Sequence, residues 1–239
     1  VGLFVFVIVF LLGFMFVYRP AVRLKNDVYA MRSEAKILQK ALKDKEYDSM
    51  KNSVDELDRL LGQTKNDYYY FSFLSNIPYI KDFYNDGYHG FAIADEGILI
   101  AKEALVGLEP YKDIIGFSAD KKQSLSTEEQ LLQIAQISPQ LIPLFDSTEA
   151  HLTNISKELD MIDISKYPEE FRGIMLHDYY EKASTYIRAG NEVLNNIEPI
   201  LPHIPTALGE PEPQTYLLLF QNDKELRPTG GFITAYALV

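Results

Sequence analysis

The strongest case for chemistry in this chain is one run near its C-terminus, Asn222-Asp223-Lys224-Glu225-Leu226-Arg227-Pro228-Thr229-Gly230-Gly231. Pro228 fixes its own φ, and the paired glycines let the backbone adopt positive φ and approach a ligand closely. Successive backbone N–H groups in such a loop make an anion nest. Arg227 supplies a two-pronged fork for phosphate or carboxylate. Asp223 or Glu225 could hold a cation or orient Arg227. The candidate anion-binding residues are therefore Asn222, Asp223, Glu225, Arg227, Thr229, Gly230 and Gly231. The plainer alternative is an internal bridge between Arg227 and a carboxylate that only shapes the loop.

Other chemistry is thin. The histidines, His89, His151, His177 and His203, are scattered. His177 and Glu181 have the i, i+4 spacing of two helical metal ligands, but no third ligand is visible, so a solvated helix face and no metal are expected. The chain has no cysteine, which removes disulfides, thiolate zinc sites and thiol nucleophiles. Gly-x-Ser-x-Gly, the Walker loop, Gly-x-Gly-x-x-Gly and His-Glu-x-x-His are absent from the sequence. Asn154-Ile155-Ser156 matches a glycosylation sequon, a pattern short enough to arise by chance. Lys plus Arg is 23 and Asp plus Glu is 34, so the net charge is 23 − 34 = −11. That balance argues against nucleic acid as a partner, and against a broad electrostatic hold on anionic lipid.

Two apolar runs flank the loop. Residues 216–221, YLLLFQ, are too short for a helix and predict a strand buried on both faces. Residues 232–239, FITAYALV, predict a second strand. An isolated hairpin is marginal in water. Residues 214–239 are therefore expected to be the first two strands of a truncated, mixed-sheet α/β head that continues past Val239. Residues 199–213, PILPHIPTALGEPEP, hold five of the chain's 12 prolines and predict a stiff linker.

Residues 19–198 predict an elongated helical bundle or stalk. Leu24, Val28, Met31, Ala35, Leu38 and Leu42 alternate four and three apart, making one apolar seam. Met50, Val54, Leu57 and Leu61 continue it one residue out of phase. The interruption, KDKEYDS, fits either a helical hairpin turn or a skip in one long helix. Gly62 suits a C-cap. Residues 68–91 are the densest aromatic stretch. They fit a surface that stacks on carbohydrate or membrane, or an aromatic-filled junction between helices, the latter being preferred. Ser126 to Glu129 form a capping box, and the helix it opens meets Pro139 and Pro143. Leu152, Ile155, Leu159 and Ile162 make a further short seam. Pro168 suits the first turn of a helix running through Phe171 and Met175 to Leu194.

Residues 1–18, VGLFVFVIVFLLGFMFVY, carry no charge, and as a helix would extend about 27 Å, close to the hydrocarbon thickness of a bilayer. Tyr18 and Arg19 suit the membrane interface. A signal peptide fits less well, since no basic n-region or small-x-small cleavage site is present. The expectation is an N-terminal transmembrane helix, with the bilayer as partner. Arg19, Arg23 and Lys25 read literally would keep the body cytoplasmic. The chain begins at Val1 rather than Met, so that charge comparison is incomplete.

The segment from Tyr216 to Ile233, YLLLFQNDKELRPTGGFI, resembles the opening of the bacterial family known as domain of unknown function 4012. The family's hallmark is an apolar strand followed by Gln-Asn-x-x-Glu-Leu-Arg-x-Thr-Gly-Gly-Phe. The resemblance covers about the last 25 residues, with the order of span, helical region and motif also alike. It implies a single-pass cell-membrane protein with an extracytoplasmic body. A more distant similarity is to the LytR-CpsA-Psr phosphotransferases, in which an acidic residue and arginines after an apolar strand bind pyrophosphate. Asp223 and Arg227 occupy comparable places, but the Arg-x-Asp-Thr entry to that family's second strand is replaced by Thr-Gly-Gly-Phe. Two functions follow as expectations. In one, a cell-envelope stalk presents a head that binds a glycopolymer or a protein. In the other, a phosphotransferase acts on a polyprenyl-pyrophosphate-linked glycopolymer with the help of a divalent cation.

Overall fold

The computed structural model of the chain describes residues 14–113, 116–117, 126–171, 173–222, 224 and 231–239. Its helices are α1 (Arg19–Asp44), α2 (Tyr47–Tyr69), α3 (Lys81–Leu108), α4 (Thr127–Ile137), α5 (Ile142–Asp160), α6 (Leu176–Ile197) and the short α7 (Ile204–Ala207). Its strands are β1 (Glu170–Phe171), β2 (Ile174–Met175), β3 (Leu217–Asn222) and β4 (Phe232–Leu238). The chain divides into two compact units, Val1–Ser124 with Leu141–Glu198, and Leu125–Gln140 with Pro199–Val239.

In the first unit each long helix packs on the next: α1 on α2, α2 on α3, α3 on α5, and α5 on α6. The interruption KDKEYDS is a hairpin turn. Lys45 takes the left-handed conformation, φ 58° and ψ 38°. Its N–H reaches Leu42 O at 3.3 Å, and the Glu46 N–H reaches Ala41 O at 3.0 Å, satisfying carbonyls left open at the helix end. A β-carbon is strained in that conformation. Lys45→Gly should raise the unfolding free energy by about 0.5–1 kcal/mol, after allowing for the greater freedom glycine gives the unfolded chain. Urea denaturation measures it, and an unchanged or lower midpoint would refute this account of the turn.

The face of α1 turned to α2 runs Leu24, Asp27, Met31, Glu34, Leu38 and Ala41, each buried or half-buried. Leu24, Met31 and Leu38 were expected there. Val28, Ala35 and Leu42 were too, but all three are exposed, Val28 and Leu42 at 52% each. Asp27 sits on the covered stripe, where burial and then the neighbouring Asp67 carboxylate push its pKa up. On α2, Met50, Val54 and Leu61 are buried as expected, and Ser53, Leu60 and Thr64 join them. Gly62 lies inside α2 rather than capping it, because the helix continues to Tyr69. Ala41, Tyr47 and Met50 form one core cluster, against which Leu38, Leu105 and Phe117 pack. The Tyr47 hydroxyl donates to Leu105 O at 2.6 Å, tying α2 to α3.

The aromatic stretch builds the corner between α2 and α3. The Tyr68 ring stacks on Tyr84 at 4.8 Å and meets Phe91 edge-on at 4.9 Å, and its hydroxyl donates to Tyr84 O. The Tyr167 hydroxyl donates to Asp86 Oδ2 at 2.9 Å, joining the chain after α5 to the same corner.

Three expectations are corrected. The first is the transmembrane helix over residues 1–18. Residues 1–13 lie outside the described residues. Phe14–Tyr18 is one π-helical turn running straight into α1, where Arg19, Arg23, Lys25 and Asp27 follow within nine residues. Among the described residues no helix is long and apolar enough to cross a membrane. The single-pass cell-membrane placement, with the extracytoplasmic body that the resemblance implied, needs such a span and is withdrawn with it. The second is the mixed α/β head. The described strands form two separate two-stranded antiparallel sheets, β1–β2 and β3–β4. The continuous apolar run of β3 pointed to a strand covered on both faces, yet all six of its residues are exposed. The third is the helix placed from Pro168. Glu170–Phe171 and Ile174–Met175 instead pair as short antiparallel strands, Glu170 opposite Met175 and Phe171 opposite Ile174, with Gly173 at φ 78°, and α6 begins only at Leu176.

In the second unit α4 begins with the capping box read from the sequence. Ser126 Oγ accepts from the Glu129 N–H, and Glu129 Oε2 accepts from the Ser126 N–H at 2.8 Å. The helix stops at Ile137, ahead of Pro139, as expected.

Candidate functional site

The loop nominated by the sequence closes on β3 and β4. The strands pair antiparallel from Leu217 opposite Leu238 to Asn222 opposite Phe232. The pairing shifts between Phe220 and Gln221, leaving Thr234 as the extra residue of a bulge, and Thr234 Oγ1 donates to Phe220 O at 3.0 Å. At the loop's entrance Asn222 Oδ1 accepts from the Lys224 N–H at 3.1 Å, an Asx turn. At its exit Gly231 has φ 155°, and a β-carbon there would sit 2.7 Å from Asn222 O. The structure thus brings Asn222 and Gly231 together at the loop's base. Asp223, Glu225, Arg227, Thr229 and Gly230 lie outside the described residues.

A second constellation lies in the first unit. On α3, His89, Glu96 and Glu103 recur every seven residues and so lie on one face. On α5, Ser147, His151, Asn154 and Glu158 lie on the face that meets them. His89 Nδ1 is 2.6 Å from Glu158 Oε2. His151 Nδ1 donates to Glu96 Oε2, and His151 Nε2 faces Glu103 Oε1 at 3.4 Å. Ser147 Oγ donates to Glu103 Oε2, and Asn154 Nδ2 to Glu96 Oε1 at 3.2 Å. This polar layer runs beside an apolar one, in which Ile93, Ile100 and Leu152 pack against the buried Ile155, Leu159 and Ile187.

An ionised carboxylate only accepts hydrogen bonds. With a carboxylate at each ring nitrogen, His151 satisfies both only as an imidazolium. The hydrogen bond to Glu96 holds its pKa above the ordinary value, burial opposes this, and Glu103 adds to the rise. The Ser147 hydroxyl, then His151, hold Glu103 below the usual carboxylate range. Ser147 gives its proton to a carboxylate and meets no free imidazole nitrogen, so the set is not arranged for nucleophilic attack. Among the described residues no group of three His, Cys, Asp or Glu side chains could hold a metal ion.

His177 donates from Nε2 to Tyr167 O at 2.9 Å, and Glu181 is exposed, so their i, i+4 spacing does not make a shared site. The sequon asparagine, Asn154, is engaged by Glu96 on a helix next to buried Ile155. Reading the histidines one at a time hides the α3–α5 layer. Its signal in the sequence is the seven-residue recurrence of 89, 96 and 103. No protein-family model, no curated protein and no solved structure matches the chain.

Proposed function

We propose that the chain is a helical scaffold presenting an anion-binding loop, residues 222–231, to a phosphate- or carboxylate-bearing partner. One observation carries this reading: β3 and β4 stay paired up to Asn222 and Phe232, so the glycine-ended loop closes on a two-stranded base. The tight exit at Gly231 and the Asx turn at Asn222 define both ends of that loop. The resemblance of residues 216–233 to the domain of unknown function 4012 family, whose hallmark is this loop, points the same way. Recognition is proposed rather than turnover, because amide donors and a guanidinium hold an anion without activating a nucleophile.

The test is titration of the whole chain with inorganic pyrophosphate, followed by calorimetry. Arg227→Ala should weaken binding by about tenfold or more, the equilibrium factor of one lost charge-assisted hydrogen bond. Its melting temperature should stay unchanged. Pyrophosphate that fails to bind, or binds the variant equally well, would remove the reading. A variant that loses its fold would instead favour the internal bridge from Arg227.

A further inference from the structure

The α3–α5 seam joins the two parts of the first unit, because α6 packs on α5 and α5 on α3. That seam holds the apolar layer around Ile155 and Leu159 and the polar layer around His151. The seam is also tied at one end. Tyr167 Oη donates to Asp86, Lys166 Nζ lies 3.4 Å from Asp82, and the Tyr167 ring meets Phe83 edge-on at 5.3 Å. His177 touches that tie through the Tyr167 carbonyl, which accepts from a neutral imidazole as well as from a charged one. His151 differs in having a carboxylate at each ring nitrogen.

We propose that His151 is a proton-operated latch: as an imidazolium it bridges Glu96 and Glu103 and holds α5, with α6 upon it, against α3, and loss of its proton releases that helix pair. Without the proton, one ring nitrogen turns a lone pair toward a carboxylate. Glu96 and Glu103 then share a layer with one fewer donor, left with Asn154, Ser147 and the single remaining imidazole N–H. Release exposes Ile93, Ile100, Ile155 and Leu159, now packed together.

The other charged groups in and near this layer face partners other than His151. On α3, Asp95 and Lys102 turn to α2, where they meet Lys65 and Asp58. On α5, Glu158 pairs with His89. At the boundary with α6, Asp160 and Arg188 line a separate hollow beside Ser156 and Ser184. Facing this stretch of α5, α6 places Gly190 against Leu152.

The sign follows from the direction of the shift. The folded His151 pKa is raised above the ordinary value of about 6.5, so its stabilisation is complete below that value and disappears as pH rises through the folded one. The latch therefore opens on alkalinisation.

Hydrogen exchange on the whole chain tests it. Between about pH 6 and about pH 9, protection factors in α5 and α6 should fall about tenfold relative to α1 and α2, the loss of one charge-assisted hydrogen bond. In His151→Gln, which keeps polarity but cannot titrate, that differential should vanish. A uniform fall across all helices, or an undiminished differential in His151→Gln, would overturn the proposal. If the variant does not fold, NMR titration of the wild-type His151 ring decides: a midpoint at or below about 6.5 overturns it, and one above supports it.

Discussion

Trimming Leu61 to alanine lowers the unfolding free energy by about 3 kcal/mol. Leu61 is 1% exposed, the most deeply covered large apolar side chain of α2, with Leu60 at 7% beside it. α2 is packed against α1 on one side and α3 on the other, so the walls of the site are side chains held by two neighbouring helices. Close-packed walls relax only partly around a lost isobutyl group, and the cost is the lost transfer free energy plus that of the void. Leu42→Ala is the matched control. It lay on the apolar seam read from the sequence, yet its side chain is 52% exposed. Its replacement should change stability by no more than about 0.5 kcal/mol. Chemical denaturation at constant m-value measures both. Equal losses at the two positions would mean that the stripe of α1 facing α2 is misassigned.

Gly87→Ala should cost about 2 kcal/mol, although it adds only a methyl group to a helix, where alanine is normally favoured. A β-carbon at 87 would overlap the Tyr68 hydroxyl and lie 2.6 Å from Cζ of that ring. The ring has little room to yield. It stacks on Tyr84, lies edge-on to Phe91, and gives its hydroxyl proton to Tyr84 O. Burial, then the neighbouring Tyr84 and Asp86, push the Tyr68 phenol pKa well above its ordinary value, so it remains a donor throughout the working pH range. A double-mutant cycle isolates the clash. In a Tyr68→Ala background, Gly87→Ala should become neutral or mildly stabilising. If it costs the same with and without the ring, the close approach of α2 to α3 at this point is not what the glycine serves. Gly97 is an internal contrast within α3: a β-carbon there would meet nothing within 4 Å.

Local signals survive folding where one element settles its own geometry. The Ser126–Glu129 capping box needs only four consecutive residues, and it is present. The break before Pro139 needs only proline's missing N–H and fixed φ. Signals that need two elements read less well. The α1 stripe was drawn through Val28 and Leu42 because they are apolar. The face that meets α2 instead accepts Asp27 and Glu34, since the neighbouring helix decides which side is covered. Phe171 and Met175 were expected in a helix from their place after Pro168. They stand instead in two paired strands with Gly173 at a positive φ between them, which side-chain periodicity does not encode.

The two site regions differ for the same reason. The loop at 222–231 was legible from residue types because glycine, proline and arginine carry their chemistry with them. The polar layer between α3 and α5 was not. The partner of His89 is 69 residues away and those of His151 are 55 and 48, so each histidine looks solitary along the chain. Only the register of two helices makes them a set.

The exposed β3 strand has a further consequence. Leu217, Leu218, Leu219 and Phe220 are four consecutive uncharged residues, 45–58% exposed, and their strand's outer edge has no strand beside it among the described residues. An uncharged, proline-free ribbon of this kind is a template on which identical copies stack in cross-β fashion. Concentrated solutions of the chain should accordingly nucleate fibrils from this ribbon, and a lysine at Leu219, a gatekeeper on the strand, should suppress them.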